Sequence, residues 1–126
     1  MTVFRSTRMA GALAWAVLLS AIIVALLYLN SAAASAWAGS GPPTTVPEAW
    51  MQRAFAHLCY ATGAQLIGFG AFRVIRRLPG FDRMGLVLAL FAIIAVAVPR
   101  IRGIILVRRC VDAGGRWDGA AFRCDG

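Results

Sequence analysis

The sequence predicts an all-α membrane protein: three transmembrane helices followed by a short C-terminal tail clipped by a disulfide. Three observations carry that prediction. The runs Met9–Leu29, Ala54–Phe72 and Met84–Val98 are long and apolar, in a chain of 126 residues that is 60% hydrophobic with a mean hydropathy of +0.74. Arginines collect at the ends of those runs rather than on one soluble face. Two cysteines, Cys110 and Cys124, bracket the tail. A hydrocarbon core about 30 Å thick takes roughly 20 helical residues at about 1.5 Å each, which is the length scale of these runs.

Composition excludes several classes. Charged residues make up 14% of the chain, against about 25% in an average soluble domain. The segments outside the runs are too short to bury a core of their own. All 13 basic residues are arginine, and the net charge is +8. Arg5 and Arg8, then Arg73, Arg76, Arg77 and Arg83, then Arg100, Arg102, Arg108 and Arg109 punctuate the spans, where cations meet lipid headgroups. That placement argues against a nucleic-acid partner and for the bilayer.

The first run has no charge across 21 residues and follows Arg5 and Arg8. Signal-peptide cores usually span about 7–15 residues, so this one reads as an uncleaved signal-anchor, although Ala34-Ser35-Ala36 resembles a cleavage site. The cation-free stretch that follows puts the N-terminus in the cytoplasm. Asn30–Gln52 reads as a flexible surface loop, because Gly41-Pro42-Pro43 and Val46-Pro47 interrupt any helix. Trp37 and Trp50 sit at positions suited to the headgroup zone.

The second run carries His57, Cys59, Tyr60, Thr62 and Gln65. At about 100° per residue, Ala54, His57, Ala61, Ala64, Gly68 and Ala71 share one stripe. Small residues in such a stripe let helix backbones come close, so Ala61, Ala64, Gly68 and Ala71 are candidate packing residues toward a partner. Phe55, Leu58, Leu66 and Phe69 project from the other side and read as lipid-facing. His57 and Gln65 are the intramembrane polar residues, expected to hydrogen-bond to a neighbouring helix or headgroup.

The third run either stops at Pro99 or continues to Val107 with Arg100 and Arg102 reaching for the interface. The domain reading is therefore a membrane domain over 1–107, with helices at about 9–29, 54–74 and 84–98 or to 107. An extracytoplasmic tail covers 108–126.

In that tail, joining Cys110 to Cys124 would close a loop whose crosslink contributes about 3 kcal/mol in the chain-entropy picture. Gly114-Gly115 supplies a turn and Trp117 a small apolar plug. The alternative is two unrelated reduced thiols. The arrangement Cys110, Gly114-Gly115-Arg116-Trp117, Cys124 resembles short clips at the ends of small bacterial envelope proteins of uncharacterised function. The resemblance covers this tail alone and implies no activity. A disulfide needs an oxidising compartment, which agrees with three spans from a cytoplasmic N-terminus. The arginines near the tail argue the other way. The first helix usually dominates, so the expected location is a bacterial cytoplasmic (inner) membrane, N-terminus cytoplasmic and C-terminus extracytoplasmic.

Candidate chemistry is sparse. His57 and Cys59 lie about 200° apart on a helix and cannot grip one metal. No catalytic triad order, phosphate loop or metal-spaced cluster occurs, so no enzyme activity, metal or cofactor is expected. The function that fits is a structural or accessory membrane subunit, packing against other membrane proteins or itself. Two alternatives remain: a pore former resembling holins in its three spans and basic tail, and a haem or redox subunit using His57.

Overall fold

A computed structural model describes residues 2–41, 46–78 and 82–126, with side chains from Met9 onward. The charges of Arg5 and Arg8, the Pro42-Pro43 break and the turn at Gly80 lie outside the described residues. Three long helices, α1 (Thr2–Ser40), α2 (Pro47–Arg77) and α3 (Arg83–Asp112), are followed by a two-stranded hairpin, β1 (Arg116–Asp118) and β2 (Arg123–Asp125). Each helix is long and apolar enough to cross a membrane.

The helices run up, down and up, with α2 in the middle. It packs on α1 along one side and on α3 along another, while α1 and α3 scarcely meet. Antiparallel register is visible in the pairs. Trp15 lies edge-on to Phe72 at 5.1 Å, and Tyr28 meets Tyr60 at 5.6 Å between ring centroids. The packing is inside-out relative to a water-soluble bundle. Ala14, Ala25, Ala54, Ala61 and Ala92 are buried, whereas Leu13, Leu26, Leu27, Phe91 and Ile93 are more than half exposed. No large side chain is fully buried among the described residues.

All three helices outrun their apolar cores, which corrects the expected boundaries. The stretch after Leu29 is not a loop: α1 continues to Ser40, a helix of 39 residues and about 58 Å. Ala32–Ala36 is an alanine-rich segment with high helix propensity, and Ala32 and Ser35 are buried against α2. Hydroxyls inside the helices are satisfied locally. Ser20, Ser31 and Thr62 each donate to the carbonyl four residues earlier, at 2.8, 3.0 and 3.0 Å. Helix α3 resolves the second boundary by running straight through Pro99 to Asp112. Proline removes one donor, yet the surrounding turns and the packing of buried Pro99 hold the helix together. The helix thus extends five residues into the segment 108–126.

Three of the five acids sit at helix ends. Glu48 opens α2, Asp112 closes α3, and Asp82 sits immediately before α3.

Candidate functional site

Four features of the fold have chemical content, and the α1–α2 seam is the most extensive. Gly68 faces Ala21 so closely that a Cβ at position 68 would overlap the Ala21 methyl. At the far end of the seam, a Cβ at Gly39 would lie 3.1 Å from Trp50 Cβ. On α1 the seam residues Ala14, Ala21, Ala25, Ala32, Ser35 and Gly39 recur at spacings of three, four or seven, the pattern of a helix that keeps one face on its partner. The stripe of α2 is thus occupied by α1 of the same chain, and Ala61 and Gly68 are buried there. Ala64 and Ala71 are half-buried at its margin. The matching small residues of α1 lie among its leucines, so the sequence does not display this pairing.

A second face of α2 is glycine-based and meets α3. A Cβ at Gly63 would come within 2.9 Å of Val96, and one at Gly85 within 2.6 Å of Val74. Two of the residues expected to face lipid turn toward this side. Leu66 lines a groove with Gly85 and Leu86, and Phe55 lies under the Arg102 guanidinium at 5.1 Å. Leu58 and Phe69 do face outward, 49% and 45% exposed. The groove along α2 and α3 encloses about 390 Å³, with an almost wholly apolar lining that includes Ile67, Ala71, Val74 and Ala89.

At the end of the molecule where α2 leaves and α3 begins, buried Asp82 accepts a hydrogen bond from Arg73 Nε at 3.2 Å and lies 3.8 Å from Arg77. The ion pair ties the two helix ends together across the turn. Sequence reading missed it, although an Asp directly before a helix is itself a start signal. At the opposite level, His57 packs beside Tyr28, ring centroids 6.0 Å apart. Its Nδ1 is buried without a hydrogen-bond partner, and Gln65 makes no side-chain hydrogen bond among the described residues. Neither residue makes a cross-helix side-chain hydrogen bond among the described residues, and His57 faces the Tyr28 ring. Cys59 is a free, half-buried thiol. Among the described residues no three His, Cys, Asp or Glu side chains gather as a metal-binding group.

The fourth feature is the tail. Cys110, buried at the end of α3, and Cys124 on β2 lie at disulfide-bonding distance, with Cα atoms 5.6 Å apart. Gly114 adopts φ +78° and ends the helix, and its N–H donates to the Val111 carbonyl at 2.9 Å. Gly115 has no room for a side chain, since a Cβ there would lie 2.5 Å from Cys124 Sγ and 3.1 Å from Cys110 Sγ. In the hairpin, Trp117 pairs with Cys124 and its ring meets Phe122 edge-on at 5.2 Å. The Asp118 carboxylate accepts the Ala120 and Ala121 N–H groups at 2.8 and 3.2 Å. Those two bonds, with weaker help from Arg123 and Arg116, hold its carboxyl below the ordinary value near 3.8.

The geometry defines a three-helix row of membrane-crossing length with a cysteine-closed cap at one end. No protein-family model, curated protein or solved structure matches the chain.

Proposed function

We propose that this chain is a three-span membrane protein of accessory or structural type, with the N-terminus in the cytoplasm and the cap outside. The observation that carries the membrane part is the inside-out sorting of side chains. Alanine and glycine fill the contacts while leucine, isoleucine and phenylalanine point outward. In water such a surface would far exceed the few hundred Å² of contiguous apolar area a monomer tolerates, whereas in lipid it is the stable arrangement. Along α2 the interval from Arg53 to Arg73 is about 30 Å, the thickness of a hydrocarbon core.

The accessory reading is supported by the openness of the row. The outer helices α1 and α3 scarcely meet each other, so the groove floored by Ile67, Gly70 and Ala71 stays uncovered on one side. Its small and apolar lining suits another membrane helix, from a second protein or a second copy. Since His57 packs against Tyr28 within the seam, nothing in its surroundings favours the haem-bearing alternative. The test is site-specific photo-crosslinking in cells. A crosslinker at Ile67 or Ala89 should yield discrete protein adducts, and one at outward-facing Leu26 should yield none. Equal absence of adducts at all three positions would remove the support for a packing partner.

A further inference from the structure

The cleft under the hairpin combines features that no structural role explains. It encloses about 550 Å³ between the start of α2, the later part of α3 and the hairpin. Its apolar walls are Met51, Phe55, Leu106 and Phe122. Phe122 is the only non-glycine residue with positive φ among the described residues, at +56°, a backbone conformation that L side chains rarely adopt. Its ring also forms a wall of the cleft.

The polar groups in this cleft are unmatched. Gln52, on the cleft wall, has its Oε1 buried with no hydrogen-bond partner among the described residues, and a small turn of the side chain lets it accept from a ligand in the cleft. Arg102 lays its guanidinium over the Phe55 ring, and among the described residues no carboxylate lies within ion-pair range of it. Its N–H edge is therefore free for an anion. Glu48, exposed in the first turn of α2, places a carboxylate at the rim. A complementary ligand needs an apolar body, an anionic group for Arg102, and a cationic N–H donor for Glu48 and Gln52.

We propose that this cleft holds a phospholipid with a primary-amine headgroup, a phosphatidylethanolamine. The phosphate accepts from Arg102, for which a guanidinium fork is well shaped. The ammonium has three donors, enough for the Glu48 carboxylate and the Gln52 carbonyl oxygen. The upper acyl chain lies on Phe55, Met51 and Leu106. A choline headgroup has no N–H and leaves Gln52 unsatisfied. A glycerol headgroup has hydroxyl donors but no charge to answer Glu48. The location agrees, because Phe55 and Arg102 lie at the end of the Ala54–Phe72 apolar run, where headgroups begin. This site rests on the membrane reading above but not on the accessory role.

The experiment offers the full-length protein, in mild detergent, equal amounts of phosphatidylethanolamine, phosphatidylcholine and phosphatidylglycerol, and reads retained lipid by native mass spectrometry. Phosphatidylethanolamine should be retained about tenfold over phosphatidylcholine, the discrimination expected when a hydrogen bond involving a charged group is lost. Gln52→Leu should reduce that preference and Arg102→Gln should reduce phosphatidylethanolamine retention itself, with helicity by circular dichroism confirming that the variants fold. The wild-type mixture decides by itself if a variant does not fold. Equal retention of the choline lipid, preference for the glycerol lipid, or retention of none would overturn the proposal. Flotation with vesicles of all three lipids is the separate control. Failure to float with any of them would defeat the membrane reading itself, and the site with it.

Discussion

Gly68 of α2 and Ala21 of α1 touch so closely that neither position has room for a larger side chain. Replacing Gly68 with Leu should therefore force the helices apart. Overpacking of this kind costs about 1–3 kcal/mol, and Leu is no worse in lipid than Gly, so insertion should be retained. The expected result is a lower thermal midpoint in detergent with helicity preserved. Phe69→Ala, on the outward face, should shift it much less. An unchanged midpoint for Gly68→Leu would mean that α1 and α2 do not pack along this seam.

The seam shows how far the sequence could be read. The periodic stripe Ala54, His57, Ala61, Ala64, Gly68, Ala71 is legible because small residues recur at helical spacing while Phe55, Leu58, Leu66 and Phe69 fall on the other side. Its occupant is not legible, since Ala14, Ala21 and Ala25 sit within a run of Leu, Ile and Val that looks uniformly apolar. Spans are legible as lengths of apolar chain, but helix ends are not. Nothing in hydropathy separates a helical Ala32–Gly39 from a loop, because packing on α2 decides it. The clip is legible from Cys110 and Cys124. The cleft beside it is not, because Phe55 and Phe122 are brought together only by the fold.

The Asp82 ion pair should contribute to joining α2 and α3. Asp82 is 7% exposed overall, but the Arg73 and Arg77 side chains are 30% and 61% exposed and remain partly hydrated. Asp82→Ala should then cost about 1–3 kcal/mol, between the values for exposed pairs and for fully buried ones. Arg77→Gln should cost less than Arg73→Gln, given the longer contact at 3.8 Å against 3.2 Å. Thermal unfolding of the three variants checks the order.

Gly115 controls closure of the cap. With a Cβ there pressing on both sulfurs, Gly115→Ala should hinder pairing of Cys110 and Cys124. In protein from its native compartment, denatured without reductant, both tail cysteines should resist alkylation in the wild type and react in the variant. Cys59 should be alkylated in both cases. Free alkylation of the wild-type pair would mean that the two thiols stay reduced.

The hairpin should respond to acid through Asp118. Its folded carboxyl is held low by the Ala120 and Ala121 N–H groups first, and by Arg123 and Arg116 second. A depressed folded value means stability that is present above the unfolded value, about 3.9, and is lost as pH falls through the folded one. Amide signals of Ala120 and Ala121 followed by NMR should hold steady through neutral pH and change only below about pH 3.9. In Asp118→Asn the change should be weakened or absent.

The proposed threading of three spans places the cap outside. Reporter fusions at Ser40 and after Gly126, active only beyond the cytoplasm, and one at Gly80, active only within it, test that claim most directly. External activity is expected at Ser40 and Gly126 and cytoplasmic activity at Gly80. A cytoplasmic signal from the fusion after Gly126 would contradict the threading, and with it the oxidised state of the cap.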